Sequence, residues 1–196
     1  MNQVRRLLAI GGSWGGISAT RAILPRLRLP DDTSVVLVLH RQPIRSELAP
    51  ILARGGTLPV VEAEDKMALA AGTVHVAPPD YHLLVEPGWL SLSTEEPVKF
   101  SRPSIDVLFE SAAQAFAERV VAVVLTGASD DGAAGALAVR RHGGTVIVQD
   151  PRTAEQGIMP RAAIEAGAAE QVAPLTELPE VIGTALAGVA VAEERP

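Results

Sequence analysis

Four stretches of the chain are apolar with little polar alternation: Leu7–Ile10, Val35–Leu39, Val120–Leu125 and Thr145–Val148. Runs of this kind fit strands buried on both faces, as in a parallel sheet covered by helices. Helical patterns lie between them. The clearest is PSIDVLFESAAQAFAE, where Ile105, Leu108, Phe109, Ala112, Ala113 and Phe116 recur at helical spacing and Pro103 suits a first turn. Further helices are expected over Gly15–Leu27, Ile44–Ala53, Gly132–Arg141, Ala154–Ala166 (with Pro160 as its weak point) and Glu177–Val191.

Strands alternating with helices predict an α/β fold: a doubly wound, mostly parallel sheet in three layers, α/β/α. Residues 73–93 break this rhythm with short β-prone runs around Pro78-Pro79 and the turn signal Glu86-Pro87-Gly88, which predicts a hairpin at one edge of the sheet. No repeat or linker interrupts the chain, so one domain over 1–196 is expected, with its core over about 4–187 and a frayed end at Glu193–Pro196.

Composition narrows the function classes. With no cysteine, thiol catalysis, thiolate metal sites and disulfides are excluded, and the cytoplasm is the expected compartment. A net charge of −6 and an aromatic content of 3% argue against a nucleic-acid partner, which needs clustered basic groups or stacking platforms. No segment approaches the length of a membrane span, so no membrane insertion is expected. His75, Asp80 and His82 are the nearest approach to a metal cluster, but their spacing does not compel one.

The candidate chemistry starts at Gly11-Gly12-Ser13-Trp14-Gly15, directly after the first strand. A phosphate-binding Walker loop needs a lysine that is missing here, and the glycine spacing fails the dinucleotide fingerprint. G-x-S-x-G between a strand and a helix fits a nucleophile elbow, although Ser13 could equally serve as a helix cap. A serine nucleophile needs an oriented base. Of four histidines, His40 follows a buried strand directly, in SVVLVLHRQP; Asp130 and Asp131 follow another, in VVAVVLTGASDDGAAG. Three strand ends delivering Ser, His and Asp is a conjunction that capping alone does not predict. Backbone amides at Ser13–Trp14 and at Gly127–Ala128 are candidate donors to an oxyanion.

From AIGGSWGG through VLVLH, VHVAPPDYHLLVE, RPSIDVLFESAA, VVLTGASDDGAAG and GGTVIVQDP to GIMPRAAIEAGAAEQV, the sequence resembles the catalytic domain of bacterial chemotaxis protein-glutamate methylesterases, the CheB type. That resemblance places the triad on Ser13, His40 and Asp131, the last chosen by the family's Asp-Gly pair. It implies hydrolysis of glutamate γ-methyl esters on the cytoplasmic helices of methylated chemoreceptors, with glutamine deamidation in some relatives and no cofactor. Trp14, Gly127 and Ala128 would line the oxyanion and substrate loop.

Departures from the family pattern are visible. The first strand starts within ten residues of Met1, where relatives usually carry a receiver domain, so a stand-alone domain answering to a separate regulatory protein is the expectation. The usual Gly-Met-Gly-x-Asp-Gly reads Gly127-Ala128-Ser129-Asp130-Asp131-Gly132, and Ser101 stands where a histidine often precedes Arg-Pro-Ser. Two alternatives stay open: an esterase or amidase with a different protein or small-ester substrate, and a non-catalytic module binding a partner through His40, Arg41 and Arg45.

Overall fold

The computed structural model describes residues 3–41 and 47–191. Seven strands form one parallel sheet: β1 (Arg6–Gly12), β2 (Thr33–Leu39), β3 (Val60–Glu62), β4 (Val74–Val76), β7 (Val120–Val124), β8 (Thr145–Gln149) and β9 (Gln171–Ala173). Their order is β3-β4-β2-β1-β7-β8-β9. The chain therefore builds outward from β1 in one direction, then returns to β7 on the other side. Such a reversal opens a crevice at the carboxyl ends of the two central strands.

Alternate residues of each strand feed two cores. Leu7 and Ala9 of β1 face one layer with Val36, Val38, Ala122 and Val124, covered by α3 (Ile105–Phe116), α4 (Ala133–Arg141) and α5 (Ile158–Glu165). Leu8 and Ile10 face the other with Val35, Leu37, Val121 and Val123, covered by α1 (Gly16–Ile23), α2 (Leu48–Ala53) and α6 (Leu178–Gly188). The central strands are mostly hydrophobic because both faces are roofed. In α3, Ile105, Leu108 and Phe109 are fully buried. At about 1.5–3 kcal/mol for each large apolar side chain, that stripe outweighs any propensity term in holding the helix.

The expected helices form, but shorter. Pro103 precedes the N-cap of α3 rather than entering its first turn, because Ser104 caps the helix through the Val107 N–H. The segment begun at Ala154 turns helical only at Ile158, which puts Pro160 in the first turn where its missing N–H costs nothing. Helix α1 tightens into a 3₁₀ turn at Leu24–Arg26, around Pro25. Ile44–Ser46, Arg45 included, and the end at Glu193–Pro196 lie outside the described residues.

The hairpin region divides. Val74–Val76 joins the main sheet as β4, whereas β5 (His82–Glu86) and β6 (Trp89–Ser93) pair antiparallel in a separate two-stranded sheet. Leu83, Val85 and Leu90 of that hairpin are buried in the same core layer as α3, which is why it packs over the helix layer instead of extending the main sheet. Among the described residues no helix is long and apolar enough to cross a membrane.

Candidate active site

Three strand ends converge at the reversal point. Ser13 follows β1, His40 follows β2, and Asp131 lies in the loop after β7. The parallel ladder continues past the strands: His40 N–H donates to Gly12 O (3.0 Å) and Ser13 N–H to Thr126 O (2.9 Å). Small residues permit this approach. A Cβ on Gly11 would lie 2.2 Å from Ile105 Cγ2, so only glycine lets α3 seat its first turn against β1.

Asp131 is wholly buried, and every lone-pair direction is used. Oδ2 accepts from His40 Nε2 (2.7 Å) and Ile105 N–H (2.7 Å); Oδ1 accepts from the Ser104 hydroxyl (2.8 Å) and Asp106 N–H (3.1 Å). Burial opposes the charge, but the bonds from His40, Ile105, Asp106 and Ser104 outweigh it and hold the carboxyl below its usual range. The N-terminal end of α3 adds its positive partial charge at the same place. Asp130, by contrast, has a side chain 65% exposed and pairs with Lys99. Geometry thus separates two adjacent aspartates that spacing alone left open.

An ionised carboxylate only accepts, so the proton of this bond sits on His40 Nε2, and in the neutral imidazole the lone pair belongs to Nδ1. Ser101 Oγ sits 3.3 Å from Nδ1. Ser13, Trp14, His40, Ser101, Arg102 and Ala128 share the walls of one open cavity of about 570 Å³. Arg102 closes its rim by donating to Asp80 (2.7 and 3.0 Å) and to the carbonyls of Thr94 and Glu95 (2.9 and 3.0 Å).

Of the sequence-predicted oxyanion donors, the N–H groups of Ser13 and Gly127 are already engaged, the first by Thr126 O and the second by Gln156 O (2.9 Å). Among the described residues, no partner meets the N–H of Trp14 or of Ala128. Both residues line the cavity. The Trp14 indole, 62% exposed, donates Nε1–H to Glu155 Oε1 at 2.7 Å. Tryptophan at this position thereby ties the elbow to the loop after β8.

The remaining histidines have other work. His82 Nδ1 accepts Ser104 N–H (3.2 Å), with Nε2 directed at Glu96 O (3.1 Å), so it braces the start of α3. His75 accepts Ala70 N–H at 3.3 Å, and burial pushes its imidazole below the ordinary value. His142 closes α4 with Nδ1 2.9 Å from Ala138 O. No group of three or more His, Asp or Glu is gathered for a metal among the described residues. Sequence reading passed over Ser104, although Pro-Ser ahead of an apolar helical run is a cap signature.

A family model described as CheB methylesterase matches residues 8–182. The chain belongs to the CheB methylesterase family. A candidate protein-glutamate methylesterase/protein-glutamine glutaminase of Leptospira interrogans is 44% identical over 177 residues, which are 89% of this chain and 91% of that protein. The protein-glutamate methylesterase/protein-glutamine glutaminase of a Nocardioides strain is 43% identical over 183 residues, and that of Symbiobacterium thermophilum is 39% identical over 184. Those alignments take in 90% and 93% of this chain but 50% and 51% of the relatives. The crystal structure of the Thermotoga maritima CheB methylesterase catalytic domain matches with a TM-score of 0.87 at 33% identity, covering 91% of this chain and 97% of that one. CheB methylesterases are carboxylic ester hydrolases, and this chain is an enzyme of that class.

Proposed function

We propose that residues 1–196 act as one catalytic domain that demethylates glutamate γ-methyl esters on the cytoplasmic helices of chemoreceptors, working in the cytoplasm through Ser13, His40 and Asp131. The hydrogen bond from His40 Nε2 to the buried Asp131 carboxylate carries the assignment, because it leaves Nδ1 as a base on the wall of the cavity that Ser13 also lines.

In this mechanism His40 Nδ1 takes the proton of Ser13 Oγ as the oxygen attacks the ester carbonyl. Trp14 and Ala128 N–H donate to the oxyanion of the tetrahedral intermediate, while Asp131 stabilises the imidazolium. Collapse breaks the C–O bond to the methoxy group, which leaves as methanol with the proton from His40. Water, deprotonated by His40, attacks the acyl-enzyme in turn; Ser13 recovers its proton and the glutamate carboxylate is released. The same sequence on a glutamine side chain releases ammonia, in line with the paired activities in the relatives' names. No step draws on a cofactor.

Ala128 keeps a backbone donor where a methionine is usual, so the oxyanion site survives the replacement while the wall beside the substrate loses a long side chain. The test is methanol release from a methylated receptor fragment. Wild type should release it, and Ser13→Ala and His40→Ala should not; equal release by both variants would sink the mechanism. Labelling of Ser13 by a fluorophosphonate without any methanol release would point instead to another ester or amide substrate.

A further inference from the structure

Thr126 and Gln149 are polar side chains 2% and 1% exposed, the first two residues past the end of β7 and the second the last residue of β8. Burying them is costly unless each group finds a partner, and each does. Gln149 Oε1 accepts Thr126 N–H (2.9 Å), and its amide donates to Thr153 O (3.0 Å). Thr126 Oγ1 accepts Gln156 N–H (2.8 Å), and its single proton is directed at Trp14 O (2.9 Å) and Gln156 O (3.2 Å). One hydroxyl therefore joins the loops that follow β1, β7 and β8.

Those loops hold the two unpartnered amides. An N–H and the carbonyl before it share one rigid plane, so fixing the carbonyl aims the N–H. Ser13 O accepts Gly16 N–H (2.8 Å), which sets the plane of Trp14 N–H; Gly127 O accepts Met159 N–H (3.0 Å), which sets that of Ala128 N–H. What remains is the distance and angle between the two planes. Thr126 lies between them: its carbonyl takes Ser13 N–H, its hydroxyl reaches Trp14 O, and it immediately precedes Gly127. The Trp14–Glu155 bond grips the elbow from the loop after β8.

We infer that Thr126, seated by Gln149, is a positioning residue that sets the spacing of the Trp14 and Ala128 amides and so builds the oxyanion site. This rests on Ser13 being the nucleophile. Neither side chain lines the cavity, so their effect reaches the substrate only through the backbone donors.

The test uses the whole chain and a fluorophosphonate probe, whose phosphoryl oxygen takes the place of the oxyanion, with the maximal labelling rate and the reversible binding constant measured separately. Thr126→Val should lower the maximal rate at least about tenfold, since losing one oxyanion donor costs about 10²–10³ in rate. Its reversible binding should stay within about twofold, because ground-state contacts are unchanged. Thr126→Ser, which restores the hydroxyl, should recover the rate to within about threefold. If Thr126→Val does not fold, Thr126→Ala removes the same hydroxyl without adding volume. An unchanged maximal rate in the folded variant, or no recovery with serine, overturns the inference while Ser13→Ala remains unlabelled. Labelling of Ser13→Ala at the wild-type rate overturns the nucleophile itself, and the positioning role with it.

Discussion

Replacing Asp131 by Asn tests the centre of the site, because it keeps the side chain's shape and removes its charge. The His40 Nε2 to Asp131 Oδ2 distance of 2.7 Å puts the imidazolium and carboxylate charge centres roughly 4 Å apart. At an effective dielectric of about 20, their attraction is about 4 kcal/mol. That attraction exists only once His40 has taken the proton, so its loss should fall on the chemical step and lower kcat about 10³-fold. The asparagine amide must also face one pair of donors. Turning its oxygen to His40 and Ile105 sets its NH₂ against Asp106 N–H, the longest of the four bonds at 3.1 Å, while the Ser104 hydroxyl can rotate to accept. One orphaned N–H costs about 1–3 kcal/mol of folding stability.

The sign of the pH effect follows from the lowered carboxyl. Its contribution to stability is complete above the ordinary value of 3.8 and is lost as pH falls from there through the depressed value. The stability gap between wild type and Asp131→Asn should therefore close below about pH 4. Steady-state methanol release gives the rate and urea titration at neutral and acid pH gives the stability, with Asp130→Asn as control. A folded Asp131→Asn that loses less than about tenfold in kcat, or an Asp130→Asn that loses as much, would refute the reasoning.

Gly11→Ala should cost about 1–3 kcal/mol by driving a methyl into Ile105, and a double variant with Ile105→Ala should show a coupled, less than additive loss in denaturant titrations. Lys99 is held by Asp106 and Asp130; partial burial works against its charge, but those two carboxylates prevail and raise its pKa above 10.5. The stability it contributes is thus complete below 10.5 and disappears as pH rises through the raised value, so Lys99→Met should flatten the alkaline limb of a pH–stability curve. Ser101→Ala should leave turnover within about fivefold and fluorophosphonate labelling on Ser13, because Ser101 meets His40 but does not follow a strand of the main sheet as Ser13 does; loss of labelling would make Ser101 the nucleophile.

The central strands and the order of the helices were legible in the sequence because each is written locally, as an unbroken apolar run or a helical stripe. Strands β3 and β9 were not: three residues each, at the sheet edges, leave no run to read. The hairpin's turn signals were plain, but nothing local says which core Leu83 and Leu90 will enter. Ser13 and His40 stood out through their place after buried strands. The bond that separates Asp131 from Asp130 depends on where α3 begins, and that start lies some 25 residues away along the chain. Thr126 and Gln149 gave no signal at all, since their partners are carbonyls and amides of three loops far apart in sequence.

The chain has only two tryptophans, and one of them follows Ser13. Trp14 stands 62% open to solvent over the cavity; Trp89 lies on the hairpin, outside the cavity wall. The enzyme therefore carries its own optical probe. Occupancy of the cavity should dehydrate the Trp14 indole and shift its emission to shorter wavelength while Trp89 provides a constant background, and Trp14→Phe should abolish the shift. Binding could then be followed without a label, in Ser13→Ala, where no turnover consumes the ligand.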